Sequence, residues 1–190
     1  MERIEIYHTV EDRDNDAYIL SNGPFKCTIE NHMNDKNPPW LGEGYYFWED
    51  IQDSINWGRL AHYSKWIVCC SAYDFDNKNF LDLANHPRHI HLFREWCEML
   101  RSAKADYRFS VLEVLQFVKD ELGDLFPYKA VRSYSSRVKR NGGYIVPYNP
   151  YKKMLSEVYQ SPYIQICVWD KDAFLIEKLQ IMKKHSRMSS

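Results

Sequence analysis

The sequence is poor in several features, and each shortage excludes a class of protein. It contains 7 glycines among 190 residues and no Gly/Ser-rich linker, so no domain boundary is visible. No apolar run approaches the roughly 20 residues of a membrane span. The five cysteines are odd in number and lack a Cys-x-x-Cys spacing. That usage favours a reduced cytoplasmic protein over a disulfide scaffold or a zinc ribbon.

Familiar functional motifs are also missing. The chain has no Gly-x-x-x-x-Gly-Lys loop, no glycine fingerprint of a dinucleotide-binding fold and no His-Glu-x-x-His pair. The first residues, MERIEIYH, are charged and alternate in polarity, which argues against a signal peptide. His86, His89 and His91 lie close together, but no cysteine or carboxylate stands beside them. We therefore predict no metal site.

The composition that remains is that of one globular domain, 1–190. Hydrophobic residues make up 45% and aromatic residues 15% of the chain, enough to bury a core. The net charge is -1 but unevenly spread: residues 1–63 carry twelve acids against five bases, whereas 125–156 carry seven bases and no acid. The basic segment is a candidate for binding an anionic partner. A solvated surface is its alternative interpretation.

The hydrophobic patterns predict a mixture of strands and helices. Alternating or apolar runs predict strands at 3–9, 65–73, 80–83 and 163–169. Helical spacing and start signals predict helices at 17–20, from Glu49, at 87–103, at 109–122 and from Asp172 to about Lys184. Residues 45–48 are four aromatics, either a strand or an aromatic wall. The order predicts an α+β fold with a split sheet rather than a doubly wound one.

Four segments resemble the ADP-ribosyltransferase superfamily, in its branch with poly-ADP-ribose polymerases and diphtheria toxin. They are Ile6-Tyr7-His8-Thr9, Ala17 through Gly23, Gly42-Glu43-Gly44-Tyr45-Tyr46-Phe47 and Ser54-Ile55-Asn56-Trp57. The resemblance covers 4–63 and extends to the strand at 163–169. It implies an ADP-ribosyltransferase-like split β-sheet with helices, in which the helical stretch at about 85–125 is an insertion. It also implies NAD as the co-substrate.

The resemblance assigns roles to particular side chains. The catalytic residues that it implies are His8, Tyr46 and Gln165, and the cofactor-binding residues are His8, Thr9, Gly44, Tyr46, Ser54 and Trp57. Tyr46 and Trp57 would clamp nicotinamide, Ser54 and the Thr9 backbone would bind its carboxamide, and His8 would hold a ribose. Thr9 departs from the glycine usual in the family and leaves less room. On their own, His8 and Trp57 also fit core residues.

Gln165 marks the largest departure from the family pattern. It takes the place of a glutamate that holds the ribose and faces the developing cation, and an amide supplies no charge there. Losing such a contact costs on the order of 3 kcal/mol, roughly a hundredfold in rate. This disfavours polymerase activity and leaves mono-ADP-ribosyl transfer, slow NAD hydrolysis or a non-catalytic NAD or ADP-ribose sensor. Glu157 is a fallback acid, and Gln165 also fits an edge-strand polar residue.

Tyrosines interleave the basic segment that precedes the late strand, where the resemblance places the acceptor-recognition loop. Cations that grip phosphates and rings that stack on bases suit single-stranded nucleic acid. The implied acceptor-binding residues are Arg137, Lys139, Arg140 and Tyr144. The acceptor would be a protein or a nucleic acid, and a basic, Tyr-rich RNA-binding module is an alternative function. By analogy, such a cytoplasmic enzyme suggests a toxin or defence effector with a neutralising antitoxin.

Overall fold

A computed structural model describes residues 2–30, 39–75, 78–103, 109–135, 163–171 and 177–187. The strands are β1 (Glu2–Glu11), β2 (Lys26–Cys27), β3 (Gly44–Trp48), β4 (Lys65–Phe75), β5 (Phe80–Asp82), β6 (Ala130–Tyr134), β7 (Ile164–Val168) and β8 (Gln180–Ser186). The helices are α1 (Asp16–Asn22), α2 (Ile51–Leu60), α3 (Pro87–Ala103) and α4 (Val111–Leu122). The protein is therefore of the α+β class, as predicted.

The described strands form one mixed sheet of eight. Its order is β5-β6-β7-β3-β1-β4-β8, and β2 adds to β3. Among the described strands, only β5 and β6 run parallel. β1 and β4 pair along ten residues, from Glu2↔Phe75 to Glu11↔Trp66, and so form the most extensive ladder.

Within this continuous sheet, β1 and β3 diverge from each other, and we call the gap between them the split. These two strands share a single paired position, Tyr7↔Trp48. At the amino end of β3, the same edge pairs with β2 instead, through Lys26↔Tyr45 and Cys27↔Gly44. Because β1 diverges at this point, none of the described strands lies beside the edge of β3 at Tyr46, and its backbone needs other hydrogen-bond partners.

The helices begin where their sequence signals predict. The Asp50 carboxylate accepts hydrogen bonds from the backbone N–H groups of Gln52 and Asp53 at the start of α2. Ser110 and Glu113 form the predicted capping box at the start of α4. Among the described residues, no helix combines the length and the apolar character that crossing a membrane requires.

The two faces of the sheet carry separate apolar clusters. One face packs Ile6, Phe47 and Ile166 against Ile19 of α1. On the other face, Val131 and Cys167 pack against α3 and α4, and Val68 packs against Ile55 of α2. The helical stretch predicted to be an insertion thus contributes to the main core, because Trp96, Leu100, Val114 and Val118 are buried with the sheet residues.

Two sequence predictions differ from the structure near the carboxyl end. The helix predicted from Asp172 to about Lys184 is wrong over its described part, where 180–186 form β8 and pair with β4. Strand β6 was not predicted, because Lys129 and Arg132 mask a short apolar pair, Ala130-Val131, that is fully buried. The loop predicted at 31–39 lies outside the described residues except for its last position.

Candidate functional site

Tyr46 lies on the α3/α4 face of β3, and its hydroxyl holds the preceding segment. The Tyr46 hydroxyl accepts a hydrogen bond from the Leu41 N–H (2.9 Å) and donates one to the Gly42 carbonyl (2.8 Å). Burial raises the pKa of Tyr46 well above its usual value, so the phenol stays protonated. The ring, and not an ionised oxygen, is therefore the part of Tyr46 that suits ligand binding.

Gln165 lies on the same face as Tyr46. The β3–β7 register pairs Tyr46 with Cys167 and Trp48 with Gln165, and side chains two apart on a strand share a face. Gln165 is 6% exposed, and its Oε1 accepts a 2.6 Å hydrogen bond from Trp40 Nε1. None of the described residues accepts a hydrogen bond from Gln165 Nε2. The indole thus fixes the amide so that it can donate to an oxygen of a ligand.

Thr9 and Ser54 link β1 to α2 on this same side of the sheet. Thr9 Oγ1 lies 2.7 Å from the Ser54 carbonyl oxygen and 2.7 Å from Ser54 Oγ. Ser54 has no solvent exposure, and Thr9 is also buried. The two residues that the resemblance assigns to one carboxamide are therefore neighbours in space, but their hydroxyls are bonded to each other.

Trp57 packs against the carboxyl end of β3. Its ring centroid lies 5.9 Å from that of Trp48, with a 45° angle between the ring planes. Trp48 stands two residues from Tyr46 on the same face of β3. The structure thus places Trp57 and Tyr46 on one side of the sheet, with Trp48 as the ring that contacts Trp57.

His8 lies in the split between β1 and β3, on the side that holds Phe25 and Phe47. Its Nδ1 donates to the Tyr46 carbonyl oxygen (2.8 Å), and its Nε2 accepts a long bond from the Phe25 N–H (3.4 Å). Its ring centroid is 5.5 Å from that of Phe47. The imidazole therefore does not lie on the face of the sheet that carries the rings of Tyr46 and Trp57, although the resemblance implies that all three side chains bind NAD. With β1 diverging, the imidazole replaces the missing strand contact of Tyr46.

The buried imidazole predicts a measurable pH dependence of stability. Burial lowers the pKa of His8, partly offset by its bond to the Tyr46 carbonyl. The unfolded chain takes up a proton below about pH 6.5 and the native chain does not, so stability falls as pH drops from there towards the lowered pKa. We expect H8Q to remove up to about 1.4 kcal/mol per pH unit of that slope, measured by urea unfolding.

The wild-type protein, unfolded in the same buffers, is the reference for this slope. Equal slopes for H8Q and the wild type would show that His8 is not held neutral in the fold.

Gly44 owes its identity to packing. A Cβ atom at this position would lie 2.6 Å from Cys167 Sγ and 2.6 Å from the Val168 carbonyl oxygen. The close approach of β3 and β7 therefore requires glycine here. The packing of β3 against β7 is thus enough to explain a glycine at position 44, and no contact with a cofactor is needed for that explanation.

The described part of the basic segment is neutralised internally. Arg132 binds Glu49 through Nε–Oε1 (2.5 Å) and Nη2–Oε2 (2.7 Å), and its Nη1 lies 3.2 Å from Asp82 Oδ2. Lys129 lies 3.9 Å from Asp170. The candidate acceptor residues Arg137, Lys139, Arg140 and Tyr144, and the fallback acid Glu157, lie outside the described residues.

Two histidine side chains near the start of α3 accept hydrogen bonds from backbone N–H groups. His89 Nδ1 accepts from the Asp82 N–H (3.0 Å), and His86 Nδ1 accepts from the His89 N–H (3.3 Å). Across the ranges that the structure describes, no group of three or more His, Cys, Asp or Glu side chains could hold a metal ion.

Trp40 and Trp48 were not predicted from the sequence as site residues. Trp40 follows the proline pair at 38–39, and residues 39–42 are held by bonds from Tyr46 and from Trp169 Nε1, which donates to the Leu41 carbonyl (2.9 Å). A tryptophan beside prolines gives no periodic signal. Trp48 was visible only as one of four consecutive aromatics, and its face follows from the strand register.

The candidate site is the group of side chains gathered on one side of the sheet beside the split. It comprises Thr9, Tyr46, Ser54, Trp57 and Gln165, with Trp40 and Trp48 as supports. The group offers aromatic faces and one oriented amide donor, and none of its five members is charged. Neither a scan against models of known protein families nor a search of curated proteins found a match for the chain.

Proposed function

We propose that this protein is an NAD-dependent mono-ADP-ribosyltransferase that transfers ADP-ribose to a macromolecule. The observation that carries the proposal is the convergence of five side chains from β1, β3, α2 and β7 beside the split in the sheet. They come from four distant parts of the sequence, and the resemblance assigns each of them to NAD. The ADP-ribosyltransferase-like form of the fold belongs to the same proposal and is supported by the single paired position between β1 and β3.

The chemistry needs few charged groups from the protein. The glycosidic bond of NAD breaks with its electron pair leaving on nicotinamide, and C1′ of the ribose develops oxocarbenium character. An acceptor oxygen or nitrogen then forms the new bond to C1′ and loses its proton. In hydrolysis, water takes the place of the acceptor. The protein must hold the leaving group, orient the ribose and stabilise the positive charge.

In this proposal, each residue of the candidate site has one task. The rings of Tyr46 and Trp57 stack on nicotinamide, which contributes about 0.5–1.5 kcal/mol beyond burial. The Thr9 backbone binds the carboxamide, and Ser54 holds the Thr9 side chain from α2. The Gln165 amide, oriented by Trp40, donates to a ribose oxygen. His8 is a positioning residue that holds β1 to β3 through the Tyr46 carbonyl.

The neutral side chain of Gln165 favours a second candidate function, a non-catalytic sensor of NAD or ADP-ribose. An amide whose oxygen is already bonded to an indole can bind a ribose hydroxyl but cannot stabilise a cation through charge. Binding without turnover would support the sensor. An acceptor that is protein or nucleic acid, and a neutralising antitoxin partner, remain proposals attached to the enzyme.

The first test combines NAD binding with the release of nicotinamide. We expect nicotinamide to be released by the wild type and not by Y46A, and W57A to weaken NAD binding about three- to tenfold through lost stacking. Calorimetry measures the binding, and chromatography of the reaction mixture measures nicotinamide.

The matched control is Y63A, because Tyr63 follows α2, packs against the Ile55–Trp66–Val68 cluster and is not one of the candidate-site residues. Its NAD affinity should equal that of the wild type. If Y63A and W57A bind NAD equally well while both remain folded, Trp57 does not contact the ligand.

A further inference from the structure

The hydroxyl groups of Thr9 and Ser54 form a hydrogen bond with each other. Thr9 Oγ1 donates its proton to the Ser54 carbonyl oxygen at 2.7 Å. A threonine hydroxyl has one proton, so the second 2.7 Å contact, between Thr9 Oγ1 and Ser54 Oγ, must use the proton of Ser54. Ser54 therefore has no hydroxyl proton left to donate to a ligand carbonyl.

Burial also prevents a ligand from reaching the Ser54 hydroxyl. Ser54 is 0% exposed, and Thr9 is 9% exposed. A ligand cannot touch an atom that a solvent-sized probe does not reach unless a neighbouring side chain moves. Thr9 is the side chain in hydrogen-bond contact with the serine hydroxyl. Its β-branched χ1 has few alternative rotamers, and rotation would break two hydrogen bonds.

We infer that Thr9 is a specificity-determining residue that closes the carboxamide end of the candidate site. This inference rests on the proposed function. With Thr9 in place, the nicotinamide carboxamide gains no hydrogen bond from Ser54, and ring stacking alone distinguishes NAD from ADP-ribose, which lacks nicotinamide. A smaller residue at position 9 opens the contact and favours NAD.

The test is the ratio of the dissociation constants of ADP-ribose and NAD, measured by calorimetry on the full chain. Both ligands contain ADP-ribose. A variant that is partly unfolded therefore loses apparent affinity for both of them, and the ratio of the two dissociation constants stays the same. We expect T9A to shift this ratio about tenfold towards NAD, the equivalent of one good hydrogen bond. The double variant T9A/S54A should return the ratio to the wild-type value.

The matched variant is T9V, which keeps the bulk of threonine and loses its hydroxyl. Because the site stays closed, T9V should retain the wild-type ratio. A tenfold shift in T9V, or an unchanged ratio in T9A, would overturn the closing role of Thr9.

The failure of this inference can be separated from the failure of the proposed function. If the wild type binds NAD in a manner that depends on Trp57 and T9A leaves the ratio unchanged, only the role of Thr9 is lost. If neither ligand binds to the wild type or to T9A, the proposed function fails and the closing role fails with it.

Discussion

Replacing Gln165 by glutamate is expected to raise the rate of NAD cleavage roughly a hundredfold. A carboxylate at this position would keep the acceptor that Trp40 Nε1 uses and would add a negative charge beside the ribose. Preorganised electrostatic contacts of this kind contribute about 3 kcal/mol to transition-state stabilisation. Because burial raises the pKa of a carboxyl group, the gain should be larger at alkaline than at neutral pH. Nicotinamide release under single-turnover conditions measures it.

The control is Q180E, which introduces the same charge on the exposed edge strand β8. It should cleave NAD at the wild-type rate. Unchanged or reduced cleavage by a folded Q165E protein would mean that Gln165 does not face the ribose. Raised cleavage in Q180E as well would point to an effect of net charge alone.

The largest loss of stability is expected from R132A. Arg132, Glu49 and Asp82 form a largely buried ion cluster with side-chain exposures of 13%, 16% and 4%. Removing the arginine leaves two buried carboxylates without their cation, which costs about 3–5 kcal/mol. For a domain of this size the melting temperature should fall by roughly 10 °C. Urea unfolding measures the free energy directly.

K129A is the matched control, since Lys129 precedes the same strand and belongs to the same basic segment. Its ion pair with Asp170 is 3.9 Å long, and both side chains are nearly half exposed. Such a pair contributes about 0–1 kcal/mol. Similar losses for K129A and R132A would contradict a special role of the Arg132 cluster.

Local signals in the sequence predicted most of the elements. The alternation around His8, the capping box at Ser110 and the apolar run 65–73 each depend on neighbours in sequence, and each prediction is confirmed by the structure. Strand β8 was mistaken for a helix because its polar residues carry no clear period; its pairing with β4 determines its conformation. Strand β6 was not predicted for a related reason. A charged residue in a short segment argues against a buried strand, and the carboxylates that neutralise Arg132 lie far away in the chain.

The candidate site was only partly predictable. The resemblance to the ADP-ribosyltransferase motifs proposed Tyr46, Ser54 and Trp57, but a motif in the sequence does not say which side of a sheet a residue faces. The position of the His8 imidazole follows from the divergence of β1 and β3, a tertiary feature without a local signal. The bonds of Trp40 to Gln165 and of Thr9 to Ser54 join segments 125 and 45 residues apart, so only the fold reveals them.

The most direct measurement is a crystal structure of the protein grown with saturating NAD. We predict electron density for the nicotinamide ring between Tyr46 and Trp57, with a ribose oxygen within hydrogen-bond distance of Gln165 Nε2. NAD bound elsewhere, for instance on the face that carries Phe25 and Phe47, or crystals without bound NAD under conditions in which calorimetry shows no binding, would contradict it.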